Sequence, residues 1–327
     1  MSRILRDPLT RSLLALALIL IIGCIFNAEG SFFRAGTHRD AFRQMSVYGI
    51  LATGMTLVIL TGGIDLSVGS VLALSAVVSS LAAIHWGWSS PGVILVAITV
   101  GAAAGTVSGG LTAGLGMQPF IATLAMMVFA RGLSKWITGG TKISTAVQRQ
   151  DGTWEFVDVP WLFKVIDSRW LKESVSGVTL IFLVCWLLAL VILRRHVWGR
   201  HVYAIGGSLD AARYSGISVG RSTLLAYLAC GMLAGIAGLC QAAQEQQGDP
   251  EVGATYELIA IAMVVIGGTS LIGGRGGLGL TLVGILSIGY LEKILSINAV
   301  PEAGRLILTA TIIVVAVLAQ GRRVRDQ

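Results

Sequence analysis

Asp65 carries the carboxylate in the most unusual setting in this chain, because it follows two glycines in a short break between long apolar runs (61–70, TGGIDLSVGS). An ionisable group in such a setting is a candidate for function, since charge is costly to place within a membrane. The alternative is a capping aspartate at a tight turn, whose oxygens accept hydrogen bonds from the amides that open the next helix. The sequence leaves both interpretations open.

Other signals for catalysis, metal binding or nucleotide hydrolysis are missing from the sequence. There is no HExxH helix, no Cys-x-x-Cys pair and no GxxxxGK[ST] phosphate-binding loop. Gly274, Gly276 and Gly279 match GxGxxG only formally, because no predicted strand precedes them. The four cysteines fall in apolar runs, which predicts buried free thiols. We therefore predict no catalytic residue, no metal site and no cofactor bound by this chain.

A second glycine-rich break covers residues 266–277 (IGGTSLIGGRGG). When the two breaks are overlaid at an offset of 205 residues, Gly62 and Gly63 fall on Gly267 and Gly268. The match indicates either an internal repeat, which is common in transporters, or chance agreement between two glycine-rich stretches. Broken backbone within a membrane must be surrounded by protein or line a water-filled cavity. We therefore predict that both breaks face inward or lie at the membrane surface.

A basic polar segment, 194–222, separates two other apolar runs and could dock a partner. Its middle predicts one short helix: Ser208 can cap the N-terminus, Asp210 lies in the first turn, and Gly216 can supply a left-handed stop. Two turns of helix are unstable alone, so this piece must pack on something, and the small side chains of Ala211 and Ala212 leave room for a partner surface. An ordinary basic loop is the alternative.

Composition sets these motifs in a membrane. The chain has 327 residues, of which 54% are hydrophobic and 13% charged, with a mean hydropathy of +0.80. Apolar runs of membrane-spanning length recur along it, which predicts an all-α, polytopic membrane protein with about ten transmembrane helices in a single domain, 1–327. The predicted spans are 11–28, 44–61, 66–85, 92–114, 119–138, 176–193, 222–243, 255–272, 277–296 and 303–320.

Charge predicts the orientation of these spans. With both termini inside, the inner loops hold twelve of the 24 basic residues but only four acids. The arginine-only flanks of the first and last spans and the basic cluster after the sixth favour cytoplasmic N- and C-termini. Segment 194–222 is then cytoplasmic and the loop 139–176 is periplasmic. The net charge of +7 is thus a topology signal, and no basic groove with aromatic side chains points to a nucleic acid.

Several stretches together resemble the ribose/xylose/AI-2-type permeases of bacterial ABC importers. In order along the chain they are 54–70, 118–124 with 131–132, 204–207 with 211–217, and 256–258 with 265–271. The resemblance implies a type II ABC importer-like permease subunit in the bacterial inner membrane, in contact with the lipid bilayer. Such a subunit dimerises with a second copy or a paralogue, binds a cytoplasmic ATPase that carries ATP and Mg²⁺, and receives a monosaccharide or similar solute from a periplasmic binding protein.

The resemblance also assigns 208–216 as the helix that couples the permease to its ATPase, with the candidate residues Ser208, Asp210, Ala211, Ala212, Arg213, Tyr214, Ser215 and Gly216. This chain departs from the usual pattern in two places. Ser208 and Leu209 replace a common Asn-Glu pair, and Ile259 replaces an aspartate that often follows Tyr-Glu-Leu. Serine preserves an N-cap. Loss of the aspartate leaves no carboxylate at position 259, while Asp210 can supply the charge displaced from 209.

Candidate contacts for a transported solute are polar residues predicted near the outer half of the bundle, together with Asp65. They are Gln241, Gln244, Glu245, Glu257 and Asn298. Each could equally be a solvated helix end. The loop 139–176 contains three tryptophans among mixed charges, which predicts a short interfacial helix that meets the binding protein or anchors at the headgroups.

Two other classes of protein fit the composition. An ion-coupled secondary transporter usually carries more ionisable groups at mid-depth than this sequence shows. An intramembrane enzyme needs a reacting pair, and Asp65 has no obvious partner in the sequence. We therefore favour the ABC permease over both.

Overall fold

A computed structural model describes residues 7–148, 152–170, 174–311 and 314, and helices dominate it. The helices are α1 Pro8–Ile25, α2 Ala35–Leu60, α3 Val68–Ser80, α4 Ser90–Ala113, α5 Pro119–Thr138, α6 Trp161–Asp167, α7 Gly177–Arg195, α8 Val197–Gly207, α9 Leu209–Tyr214, α10 Val219–Glu245, α11 Tyr256–Gly267 and α12 Leu278–Ile297. A π-helical turn, Leu81–His85, extends α3, and a 3₁₀ turn, Ser31–Phe33, precedes α2.

The all-α, polytopic fold class is confirmed. Within the described residues, eight helices are long and apolar enough to cross a membrane, and the shorter apolar α11 coincides with the start of another predicted span. A further helical segment begins at 302 and is described to 311. The predicted span 303–320 therefore lies partly outside the described residues.

The start of α2 was predicted too late, at 44 instead of Ala35. Its first turns are polar, so hydropathy does not mark them as membrane-spanning. Tertiary ion pairs stabilise them instead. Arg43 bonds Asp167 of α6, and Asp40 bonds Arg169, at 2.5 and 3.0 Å.

The centre of the bundle is formed by α2, α3 and α10, and α4 packs closely on α10. Glycines allow this contact. A Cβ atom on Gly101 of α4 would lie 2.1 Å from the carbonyl oxygen of Gly231, and one on Gly231 would lie 2.2 Å from that of Gly101. The two backbones therefore touch, as expected for small residues at helical spacing. In contrast, α1 and α7 expose many leucines on their outer surfaces.

The bundle has two ends, defined by contacts between loops. At the α9 end, the breaks 61–67 and 268–277 meet the segment 196–218, and the amide of Gly274 donates to the carbonyl of Leu60. At the hairpin end, segment 139–176 lies beside the loop 246–255 through a bridge between Ile143 and Gly248. Asn298 at that end donates to the carbonyl of Phe26.

Segment 139–176 contains the predicted short helix, α6, and two small hairpins that we did not predict. Strands β1 Ala146–Gln148 and β2 Trp154–Phe156 pair antiparallel, as do β3 Arg169–Trp170 and β4 Val175–Ser176. Strands of two or three residues are too short to give an alternating pattern in the sequence. α6 is held in place by Phe163, which is fully buried, while Trp161 on the same helix remains exposed.

Segment 194–222 holds two helices where we predicted one. The additional helix, α8, is capped by His196, whose Nδ1 accepts from the amide of Trp198 at 3.1 Å. It buries Gly199, Val202 and Ile205 along one face. Arg200 and His201 interrupt the apolar residues in sequence, so we did not predict a helix in this part of the segment.

Candidate functional site

The caps predicted for the short helix α9 are present. The Ser208 hydroxyl accepts from the amide of Ala211 at 3.3 Å, and Gly216 has a left-handed φ of 75°. The amide of Ile217 closes the turn on the carbonyl of Ala212 at 3.1 Å. Both ends of α9 are thus fixed by nearby residues in the sequence, the N-terminus by the Ser208 cap and the C-terminus by Gly216.

The outer face of α9 is exposed and partly apolar. Tyr214 is 92% and Leu209 43% exposed, and Ala211 is also on this face. Asp210 and Arg213 lie beside them, 3.9 Å apart. Ala212 is instead buried among the neighbouring helices α8 and α10. The expectation that both alanines leave room for a partner is therefore wrong for Ala212, which packs inward.

Three backbone segments meet behind α9 at what we call the glycine junction, formed by 60–63, 206–207 and 272–274. A Cβ on Gly206 would lie 2.0 Å from the carbonyl oxygen of Leu60 and 2.3 Å from the amide nitrogen of Gly274. A Cβ on Gly273 would lie 2.8 Å from the amide nitrogen of Gly62. The C-terminus of α8 is therefore in direct backbone contact with both helix breaks, and only glycine permits that approach.

The two breaks end their helices in the same way. Gly62 after α2 and Gly268 after α11 have left-handed φ values of 83° and 104°. In each case the residue after that glycine donates its amide to the carbonyl five positions back, at 3.2 and 3.1 Å, which is a Schellman motif. Gly62 is thus equivalent to Gly268, at an offset of 206 residues. Our overlay, which paired Gly62 with Gly267, was displaced by one residue here.

Asp65 lies at the α9 end, is 1% exposed, and forms a tight local turn. Its Oδ1 accepts from the amide of Ser67 at 2.9 Å and from the Ser67 hydroxyl at 2.6 Å. Nearby, the Tyr227 hydroxyl donates to the carbonyl of Ile64 at 3.3 Å. These are the contacts that the capping interpretation needs, because they satisfy polar groups at the start of α3.

A polar cavity of about 240 Å³ lies near the hairpin end, between α2, α10, α11, α12 and the segment from 302. Two tyrosines, Tyr48 and Tyr256, lie in its wall with ring centroids 4.5 Å apart. Ile259, at the position where the family resemblance led us to look for an aspartate, also lines it. Among the described residues, the lining is Gln44, Met45, Tyr48, Gln241, Gln244, Tyr256, Ile259, Met263, Ile288, Gly289, Glu292, Ser296 and Arg305.

The structure brings together two of the polar positions proposed for a solute path. Gln241 and Gln244 line the cavity, and Gln241 donates to Glu245 at 2.6 Å. Glu257 instead faces α3, where its Oε2 would be 2.6 Å from a Cβ on Gly69. Asn298 is exposed and holds the end of α12.

Asp65 is at the opposite end of the bundle from the cavity. Of the positions we named, four are thus not part of the cavity wall: Asp65, Glu245, Glu257 and Asn298.

We missed a charged pair in the cavity wall. Arg305 lies 3.8 Å from Glu292, which also accepts from Thr309 at 3.0 Å. The Arg305 Nε is buried and has no hydrogen-bond partner among the described residues. An orphaned buried donor beside a polar cavity points to a polar ligand or water. The pair adds two ionisable groups that we did not consider when we compared the chain with ion-coupled transporters, although an acid in one span and an arginine in the next were visible in the sequence.

The loop 246–255, at the hairpin end, is fixed by basic side chains. Arg131 of α5 donates to the carbonyls of Pro250 and Val252 at 2.5 and 2.8 Å. Lys142 pairs with Asp249 at 2.9 Å, and the hydrogen bond and charge of Asp249 raise the pKa of the Lys142 amino group. These contacts therefore hold the loop against the C-terminal half of α5 and the residues that follow it.

Comparisons with known proteins agree along almost the whole chain. Residues 39–316 match the family described as "Branched-chain amino acid transport system / permease component". The ribose import permease protein RbsC of Escherichia coli strain K12 is 37% identical over 309 residues, which cover 94% of this chain and 92% of the relative. RbsC of Bacillus subtilis strain 168 is 36% identical, covering 93% and 90%.

A third relative is the xylose transport system permease protein XylH of Escherichia coli strain K12. It is 31% identical, covering 93% of this chain and 90% of the relative. No solved structure matches the chain.

The capping interpretation of Asp65 predicts different outcomes for two substitutions. Asp65→Asn keeps the acceptor Oδ1 and should leave thermal stability almost unchanged. Asp65→Ala leaves the Ser67 amide and hydroxyl buried without an acceptor, so it should lower the free energy of unfolding by about 1–3 kcal/mol. Asp210→Ala, in the exposed first turn of α9, is the matched control and should shift it by less than about 0.5 kcal/mol. Loss of transport in a normally stable Asp65→Asn protein would contradict capping as the main role.

Proposed function

The chain belongs to the family of transport-system permease components, and on that premise we propose that it moves a monosaccharide across the bacterial inner membrane as the permease subunit of an ABC importer. It is a multi-pass membrane protein and a transport permease, not an enzyme. One observation carries the mechanism. α2 ends at the glycine junction and α11 ends at the break that leads into it, and both helices also line the polar cavity near the opposite end of the bundle.

This arrangement connects α9 mechanically to the helices that line the polar cavity. We propose that a cytoplasmic ATPase, which binds ATP and Mg²⁺, contacts the exposed face of α9 around Leu209 and Tyr214. α9 is fixed to α8 and α10 by the buried Ala212, and Gly206 at the end of α8 touches Leu60 and Gly274. A displacement of α9 therefore reaches the end of α2 and the break that follows α11 through the backbone contacts of Gly206.

The cavity ends of those helices provide the solute contacts in this proposal. Gln44 and Tyr48 are on α2, and Tyr256 is on α11. With the glutamines of α10 and the Glu292–Arg305 pair they offer donors, acceptors and aromatic faces. Binding sites for drug-sized molecules usually exceed about 300 Å³, so a cavity of about 240 Å³ suits a small, polyhydroxylated solute. Relatives named for ribose and xylose import support a monosaccharide.

Charge supports an orientation with the α9 end in the cytoplasm. Arg194, Arg195 and Arg200 are exposed at that end. At the hairpin end, basic residues are paired with acids, as in Lys135–Glu251 and Lys142–Asp249. Since arginine-rich ends remain on the cytoplasmic side, we propose that both termini are cytoplasmic and that segment 139–176 faces the periplasm.

A periplasmic binding protein would then deliver the solute at the hairpin end. We also propose that the permease works as a dimer with a second copy or a paralogue, as the family resemblance implies. In this proposal the chain is a single transmembrane domain, and segment 194–222 is its cytoplasmic coupling segment.

An ion-coupled transporter is the second candidate, and one observation favours it. Glu292 and Arg305 form a charged pair in the cavity wall, where a coupling ion or proton could act. The pair is also suited to bind hydroxyl groups of a neutral solute. Reconstitution separates these two roles.

The purified chain alone in liposomes should move no sugar, with or without a proton or sodium gradient, because it has no ATP-hydrolysis motif. Uptake of radiolabelled monosaccharide should appear only when the ATPase, Mg-ATP and the binding protein are all present. Gradient-driven uptake by the chain without an ATPase would reject the importer mechanism and favour the ion-coupled transporter.

The proposed docking role of α9 is tested at Tyr214. Tyr214→Ala should leave insertion and thermal stability unchanged, because the ring is almost fully exposed. It should lower ATP hydrolysis stimulated by the binding protein about tenfold or more, as removal of an aromatic interface anchor does. Trp136→Ala, which removes another exposed aromatic ring at the hairpin end of α5, should retain normal hydrolysis. Equal rates for the two variants would exclude Tyr214 from the ATPase contact.

The proposed solute path is tested at Arg305. Arg305→Gln removes a charged donor from the cavity wall and should weaken solute-dependent uptake about tenfold, the usual effect of losing a charge-assisted hydrogen bond. Arg34→Gln, an exposed arginine at the same end but outside the cavity, is the matched control. Basal ATP hydrolysis of the assembled complex should be unchanged in both. Normal uptake by Arg305→Gln would remove this cavity from the transport path.

A further inference from the structure

A second cavity, of about 220 Å³, lies at the α9 end between α1, α7, α8 and the start of α12. It is separate from the glycine junction and from the polar cavity. Its wall combines leucines with one arginine, one tyrosine and a glycine-rich turn. The lining is Leu9, Leu190, Leu193, Arg194, Tyr203 and the run 276–280.

The cavity opens beside an exposed apolar surface of α7 and α1, of the kind that faces lipid in a membrane protein. On α7, the helix that carries Leu190 and Arg194, the side chains of Leu187, Leu188 and Val191 are about half exposed. Exposed leucines also follow Leu9 along α1. Because these apolar surfaces run away from the cavity toward the membrane centre, a molecule that enters the cavity can leave acyl chains along them.

The polar part of the cavity is positively charged. Within the described part of the chain, its lining contains no aspartate or glutamate and Arg194 forms no ion pair. The guanidinium Nη2 of Arg194 lies 4.0 Å from the position of a Cβ on Gly279, in the first turn of α12. A guanidinium thus lies directly against a helix N-terminus, and both favour an anion between or beside them.

The glycine-rich turn is held open for such an anion by side chains. The Tyr203 hydroxyl donates to the carbonyl of Gly276 at 3.0 Å, and the Thr269 hydroxyl accepts from the amide of Gly277 at 3.1 Å. On the other side, the Trp186 indole donates to the carbonyl of Leu278 at 3.0 Å. The backbone of the turn is therefore fixed, while the missing side chain of Gly279 leaves space in front of Arg194.

From these observations we infer a binding site for an anionic phospholipid: the headgroup phosphate contacts Arg194 and the first turn of α12, and the acyl chains lie along the leucines of α7 and α1. Basic pockets between transmembrane helices are known to hold anionic headgroups. A free phosphate has no apolar part that could contact the leucines of the cavity wall, whereas the acyl chains of a phospholipid can. We therefore assign the site to lipid. A lipid here would bridge α7 and α12 next to the break 268–277, and would thereby stabilise the start of α12.

Native mass spectrometry of the purified chain tests this site. Phosphatidylglycerol, cardiolipin, phosphatidylcholine and inorganic phosphate are added separately. Arg194→Gln should bind one anionic lipid fewer, or bind it about tenfold more weakly, than the unaltered chain. Arg195→Gln removes the neighbouring arginine, which is outside the cavity, and should bind lipid normally. The anionic lipids should also raise the melting temperatures of the unaltered chain and of Arg195→Gln. They should raise the melting temperature of Arg194→Gln by less.

Several outcomes would overturn the assignment. Equal binding by Arg194→Gln and Arg195→Gln would place any bound lipid elsewhere. Equal retention of phosphatidylcholine would mean that the headgroup charge is not recognised. Inorganic phosphate that displaces the lipid and stabilises the chain equally well would identify a free-anion site instead. Both variants should elute normally in size-exclusion chromatography because both arginines are exposed. The test uses neither solute nor ATPase, so its result is independent of the proposed transport function.

Discussion

The constraint on which this structure depends is that a helix broken within a membrane protein must find partners for its freed backbone groups inside the protein. The carbonyl of Leu60, at the end of α2, is satisfied by the amide of Gly274 from the other break. That bond requires the segments to approach at backbone distance, and Gly206 of α8 fits between them only because it has no side chain. The two breaks and α8 therefore form one unit whose parts cannot move independently.

Through this unit, a movement of α9 can be transmitted to the two helix breaks. A six-residue helix is unstable alone, yet its caps and the buried Ala212 attach it firmly to α8 and α10. Elsewhere in the bundle, α4 and α10 touch through Gly101 and Gly231. Close glycine packing makes that part of the bundle a stiff support. Motion imposed on α9 is therefore more easily taken up at the breaks of α2 and α11 than within the α4–α10 pair.

The sequence predicts what depends on local chemistry and not what depends on how distant segments meet. Spans follow from hydropathy, and the caps of α9 follow from Ser208 and Gly216, because a cap involves residues within one turn. The second helix, α8, was missed because its buried face is interrupted in sequence by Arg200. The Glu292–Arg305 pair was missed because it depends on the turn between two helices. For the same reason, the sequence did not indicate whether Glu257 and Asn298, which lie near span ends, face the cavity or another part of the protein.

The charged pair in the cavity also bears on what the cavity can hold. A lone buried carboxylate attracts a cation, but Glu292 already lies 3.8 Å from the guanidinium of Arg305, so the pair has no net charge to offer an ion. Its remaining hydrogen-bonding capacity includes the Arg305 Nε, which is buried and has no partner among the described residues. Hydroxyls can both donate to Glu292 and accept from Arg305 without disturbing that balance. Ile259, in place of a carboxylate in the same wall, keeps the cavity free of further negative charge, which favours a neutral sugar over a cation as its occupant.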